Sequence, residues 1–195
     1  GPNALGAAST GCQNVAIGDT AMGGTVVTGN FNIAIGQVAM DALTSGANNV
    51  AIGGQNTMGQ LTTGCINIAI GERALGGSAT TGNNNIAIGC YTMDALTSGI
   101  CNIAIGAGAL GASTTGCQNI AIGGEAMGAA DTVGCYNIAL GDAAMNALTS
   151  GNNNIALGFD ALGAATTGCG NIAIGYGAIC GGTTTGYNNI AIGKD

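Results

Sequence analysis

Large aliphatic and small residues alternate in one short motif that recurs along the whole chain, Asn-Ile-Ala-Ile-Gly, with Val or Leu replacing an Ile in a few copies. Its leading asparagines are Asn14, Asn32, Asn49, Asn67, Asn85, Asn102, Asn119, Asn137, Asn154, Asn171 and Asn189, so successive copies lie 17 or 18 residues apart. Self-similarity at such a short fixed period predicts a solenoid, each repeat forming one coil stacked on the next. Inside the motif the period is two, which predicts a strand with both Ile side chains on one face and the Ala on the other. The Ile pair is expected to face the core. One coil alone cannot bury it, whereas a stack can, at about 25 cal/mol per Å² of apolar surface.

A second apolar pair follows eight of the motif glycines: Ala21-Met22, Ala39-Met40, Ala74-Leu75, Ala109-Leu110, Ala126-Met127, Ala144-Met145, Ala161-Leu162 and Ala178-Ile179. The stretch between glycines holds barely two helical turns with no room for connections, roughly ten residues, so a second short strand is favoured over a helix. The expected fold is therefore all-β: a parallel β-solenoid, or β-roll, of eleven coils of 17–18 residues with two short strands per coil. Asp41-Ala42-Leu43, Asp94-Ala95-Leu96 and Asn146-Ala147-Leu148 read as turns that add a core leucine. Stacked at roughly 4.8 Å per coil, the repeats would form a rod on the order of 50 Å long, with like residues above like. The eleven asparagines then become a ladder, hydrogen-bonded along the stack and to turn backbone, structural and not ligand-binding.

The repeats run without a linker or composition shift. Residues 11–195 read as a single solenoid domain, and residues 1–10 as a first partial coil preceded by Gly1-Pro2, which resemble the scar of a tag-removing protease. The 39 glycines come with one proline and six aromatics, which excludes collagen and leaves Ile, Leu, Met and Ala to fill any core. Two basic residues against nine acidic ones give a net charge of -7, which makes nucleic acid and anionic membranes poor partners. No apolar run is long enough for a transmembrane helix, so no membrane insertion is expected.

Candidate chemistry is sparse. With no His, one Arg and one Lys, a nucleophile would lack its ordinary base, and no carboxylate pair stands out from the repeat, so no enzyme is expected. No metal or cofactor is expected either, since no Cys-x-x-Cys occurs and the glycines lack the ending of a phosphate loop. Asp19, Glu72 and Asp142 follow strand-ending glycines, Asp160 lies one residue further on, and together they read as a solvated acidic rim; weak calcium sites are the alternative. Cys12, Cys65, Cys117, Cys135 and Cys169 share one register, just past the repeat glycine. Only Cys117 and Cys135 fall on consecutive coils, where a disulfide forms if the side chains point suitably. The others read as free thiols, with Cys90, Cys101 and Cys180 in registers that would contact a neighbouring subunit.

Just before each repeat glycine runs a file of hydroxyl pairs, including Ser9-Thr10, Thr44-Ser45, Thr62-Thr63 and Thr184-Thr185, broken at Val27-Thr28 and Thr132-Val133. Adjacent residues on a flat strand cannot share a face, so turn capping by hydroxyl-to-backbone bonds is the first reading. The second is a surface array of Thr10, Thr28, Thr63, Thr81, Thr115, Thr167 and Thr185, the design of ice-binding proteins, supported by low charge and few aromatics.

Gly-x-x-Asn-Ile-Ala-Ile-Gly resembles the head repeats of trimeric autotransporter adhesins, with their signature Asn-Ser-Val-Ala-Ile-Gly. It is more similar still to the Thr-Thr-Gly-x-Asn-Asn-x-Ala-Ile-Gly repeats of phage tail fibres, seen most fully at residues 79–89 and 183–193. The resemblance covers essentially the whole chain, although a coil of 17–18 residues is longer than that of the adhesin heads. It implies a left-handed β-roll, a homotrimer, a location that is extracellular, on a cell surface or on a virion tail, and a role in attachment. The chain would serve there as a passive stalk or as a direct binder of a host surface receptor or glycan. In this picture three flat Ala faces meet around the trimer axis.

Overall fold

The computed structural model describes residues 1–6, 10–181 and 185–194. Eleven three-residue strands form one parallel sheet in chain order: β1 Val15–Ile17, β2 Ile33–Ile35, β3 Val50–Ile52, β4 Ile68–Ile70, β5 Ile86–Ile88, β6 Ile103–Ile105, β7 Ile120–Ile122, β8 Ile138–Leu140, β9 Ile155–Leu157, β10 Ile172–Ile174 and β11 Ile190–Ile192. Each pairs with the next in perfect register, Ile33 on Val50, Ala34 on Ala51 and Ile35 on Ile52, and likewise along the stack. The protein is thus an all-β parallel solenoid of eleven coils. Bonds such as Ile33 N–H to the Asn49 carbonyl (2.8 Å) and Gly53 N–H to the Ile35 carbonyl (2.9 Å) extend the pairing one residue beyond each strand end.

Two glycine files cut the strands short, for different reasons. The strand-ending glycine adopts a backbone that L side chains rarely take, as at Gly36 with φ +134°. The repeat glycine is required by contact: a Cβ at Gly29 would sit 1.8 Å from the carbonyl oxygen of Gly46 on the next coil.

The second segment of each coil also stacks in parallel on its neighbours, through turns in place of extended backbone. Met40 N–H bonds to the Thr57 carbonyl (3.1 Å), Met58 to Ala74 (2.9 Å) and Leu75 to Thr92 (3.0 Å). From the second coil onward the large residue of this segment sits in the left-handed region, with φ 56° at Met40, 52° at Leu75 and 51° at Met93. That conformation costs a non-glycine residue roughly 1–2 kcal/mol, and the reward is that Met or Leu points into the coil.

The core reverses the expected orientation of the strand. Ala34, Ala51, Ala69, Ala87, Ala104, Ala121, Ala139, Ala156 and Ala173 are completely buried, together with the Ala-Met and Ala-Leu pairs of the opposite wall. No strand Ile is buried, and Ile70 and Ile105 are 38% and 37% exposed. The Ile pair therefore points outward and the Ala inward. A 17- or 18-residue loop encloses so little space that the Met or Leu opposite, joined in several coils by a corner leucine, nearly fills it, and only Ala fits beneath the strand. Leu43, Leu96 and Leu148 complete the interior at the corner before the repeat glycine, as the sequence predicts, and Leu61 does the same in its coil.

Candidate functional site

Chemistry-bearing side chains fall into files along the stack, and each file is one register of the repeat. The asparagine file lies inside. From Asn32 to Asn171 every member is buried, while Asn14 is half-buried and Asn189 exposed at the two ends. Asn49 shows the pattern: its Nδ2 donates to Asn32 Oδ1 (3.1 Å) and to the Gly64 carbonyl (2.8 Å), and its backbone N–H donates to Asn32 Oδ1 (3.0 Å). Its own Oδ1 accepts the backbone N–H of Asn67 (2.9 Å) and one Nδ2 hydrogen (3.2 Å). Both donors and the oxygen are thereby used within the stack, leaving nothing directed at a ligand.

The hydroxyl pairs divide their labour. The inner member is held by the next coil: Thr44 Oγ1 donates to the Thr62 carbonyl (2.9 Å), Thr97 to Thr114 (3.0 Å) and Thr149 to Thr166 (2.9 Å). Where a hydroxyl replaces the core leucine it does the same, Thr80 toward the Leu96 carbonyl (2.9 Å) and Thr132 toward Leu148 (2.9 Å). The outer member forms a surface row. Thr10, Thr28, Thr63, Thr81, Thr115, Thr167 and Thr185 are all exposed, and Ser45, Ser98, Val133 and Ser150 continue the row. Ser9 and Thr184 lie outside the described residues.

The register after the repeat glycine is an acceptor slot. Asn30 Oδ1 accepts the Cys12 N–H (2.7 Å), Asn83 the Cys65 N–H (2.7 Å) and Asn152 the Cys135 N–H (2.7 Å). Thiols serve as well, since Cys65 Sγ accepts the Ala47 N–H (3.4 Å) and Cys169 Sγ that of Asn152 (3.4 Å). Sequence reasoning missed this role, although the alternation of Cys and Asn at one register is its signal. Cys117 and Cys135 form a disulfide across consecutive coils with Cα atoms 4.8 Å apart. Cys12, Cys65, Cys90, Cys101 and Cys169 keep free thiols.

Most charged groups stay at the rim, while half-buried Asp41 has its Oδ1 out of water. Asp19, Glu72 and Asp142 are exposed and Asp160 half-buried. Arg73 reaches the next coil and grips Asp94 with two bonds, Nε to Oδ1 (3.3 Å) and Nη2 to Oδ2 (3.0 Å), while its guanidinium lies 5.2 Å from the Tyr91 ring centre. That hydrogen bonding, with the Asp94 charge behind it, raises the Arg73 pKa above the usual guanidinium value. Phe159 and Tyr176 stack at 5.0 Å on neighbouring coils. Among the described residues, no group of three or more His, Cys, Asp or Glu is placed to hold a metal ion, and no helix is long and apolar enough to cross a membrane. A shallow cleft lined by Ala178, Ile179, Ala191, Ile192, Gly193 and Lys194 is the uncovered cross-section of the last coil.

The outer face of the sheet is a continuous apolar surface. Two rows of aliphatic side chains, the first and third residue of every strand, run the full length of the stack with no polar side chain between them. The apolar face offered outward is thus isoleucine, and the buried alanines are not available to meet around a trimer axis.

Fold and files together define a parallel β-solenoid scaffold, with its polar chemistry spent on holding coils together. Comparison with protein-family models finds no match, and comparisons with curated proteins and with solved structures find none.

Proposed function

We propose that the chain is a structural fibre or stalk segment of a phage tail fibre or cell-surface adhesin, outside the cell, that supports attachment to a host or surface. The observation that carries this reading is the unbroken stack: strand pairing, turn ladder and asparagine ladder all run along one axis. Three parallel ladders resist bending better than one, so the segment sets a fixed distance between whatever lies at its ends. The repeat resemblance supports an extracellular or virion setting and self-association as a homotrimer. A host surface receptor or glycan would then be met elsewhere in the fibre or on the outer faces of the coils.

Single-molecule energy transfer between dyes at residues 28 and 167 tests the spacer. A narrow separation that scales with the number of intervening coils at roughly 4.8 Å each is expected; a broad or shorter distribution overturns it. The exposed threonine row favours one second reading, an ice-binding solenoid. Thermal hysteresis with faceted ice crystals, lost in Thr63→Tyr and Thr115→Tyr, would replace the spacer reading; hysteresis at buffer level removes ice binding.

A further inference from the structure

The outer face of the sheet is too apolar and too large to be left in water. Its rows include Ile33, Ile68, Ile86 and Ile103 on one side and Ile70, Ile105, Ile122 and Leu140 on the other, none of them buried. Over eleven coils the open apolar area is on the order of 1,000 Å², above the largest patch of an ordinary monomer and enough for one side of a stable interface. We propose that this isoleucine face is where copies of the chain pack against one another, side by side with their long axes aligned. The assignment rests on the reading of the chain as a self-associating shaft, and it names the surface that reading requires.

Periodicity identifies the occupant. Perfect registry makes each row a grating with the period of the coil stack, and two gratings interdigitate along their whole length only when their periods agree. A second copy has that period by construction. A globular partner or a bilayer has no such repeat, and the net charge of -7 disfavours an anionic lipid surface. Charge does not oppose pairing at this face, because the rows carry no ionisable side chain and the exposed Asp19, Glu72 and Asp142 sit beyond the strand-ending glycine. The backbone between the rows is already paired, so the contact is a dry meeting of side chains and not strand addition.

Light scattering coupled to size exclusion, under reducing conditions from micromolar to near-millimolar concentration, is the test. The wild-type chain should run as two or three chain masses. Ile70→Thr, Ile88→Thr, Ile105→Thr and Ile122→Thr combined, which keep β-branched side chains in the strands, should weaken assembly by at least about 100-fold with circular dichroism unchanged. Thr63→Val, Thr81→Val and Thr115→Val combined should leave assembly intact. A wild-type monomer at every concentration overturns self-association, and this face with it. Undiminished assembly of the folded Ile→Thr variant overturns the face alone. Should that variant fail to fold, a photo-crosslinking amino acid at position 105 of the otherwise native chain decides: crosslinks to the partner's isoleucine rows uphold the proposal, and crosslinks confined to other surfaces overturn it.

Discussion

The two walls of the coil solve one packing problem in opposite ways. The strand wall uses relaxed extended backbone, places its small residue inside and its large ones outside, and ends at glycines. The turn wall uses left-handed backbone at Met40, Leu75 and Met93, and places its large residue inside. A narrow interior is filled from the turn wall and its corner, by the Met or Leu and in several coils a leucine as well, so strain on one wall allows an unstrained, hydrophobic sheet on the other. Where the turn wall carries Thr in place of the inner Ala, at Thr57 and Thr92, the buried hydroxyl donates to the carbonyl of Gly71 (2.7 Å) or Gly106 (2.7 Å) on the next coil. The interior thus tolerates a polar group on either wall, provided the stack supplies its partner.

The contrast can be broken most severely at the strand end. At Gly36 a Cβ would lie 1.6 Å from the Gly53 carbonyl oxygen, on a backbone of φ +134°, so Gly36→Ala should destabilise by more than about 4 kcal/mol. Chemical denaturation should show the loss as a large drop in midpoint. Next comes Asn102→Ala, which removes the acceptor of the Asn119 N–H and the donor to the Gly116 carbonyl, at a cost of about 2–4 kcal/mol. Faster amide exchange at Asn119 would register it locally. Reducing the disulfide between Cys117 and Cys135 should cost up to about 3 kcal/mol, seen as a lower Tm in reductant.

The division of volume between the walls is sharpened by a pair of substitutions. Met93→Ala alone should cost about 2–4 kcal/mol as a cavity, and Ala87→Leu alone about 1–3 kcal/mol as overpacking. Combined in one coil they should cost less than their sum by at least about 0.5 kcal/mol; strict additivity would argue against a shared interior. The smallest effect has the opposite sign. Val38 is β-branched at φ 59°, so Val38→Gly should stabilise by up to about 1 kcal/mol through relief of backbone strain.

Much of the fold was legible because repetition amplifies weak signals. One Asn-Ile-Ala-Ile-Gly is a poor indicator of anything, but eleven at 17 or 18 residues define coils, register and a stacked asparagine file. Weighing Ile against Ala alone gives the wrong orientation of the strand. Asn32 and Ala34 are two apart and so share a face, and a hydrogen-bonded Asn file belongs inside; taken together they place Ile33 and Ile35 outside. The acceptor slot filled by Asn30, Cys65 and Asn83 leaves a trace in the sequence, the alternation of Asn and Cys at one register, but not its role. Its function exists only between coils, where a side chain from one meets the N–H of the one before.

What the sequence determined by itself was the period, the parallel stacking in register and the turn glycines, all of which follow from local pattern repeated in line. The tertiary structure decided which face is inside, that the second segment stacks as strained turns, and that Cys117 meets Cys135. These depend on the width of the enclosed space and on distances across coils. A cross-section already filled from the turn wall and its corner sends isoleucine outward, and the hydrophobicity of isoleucine, read alone, points the other way.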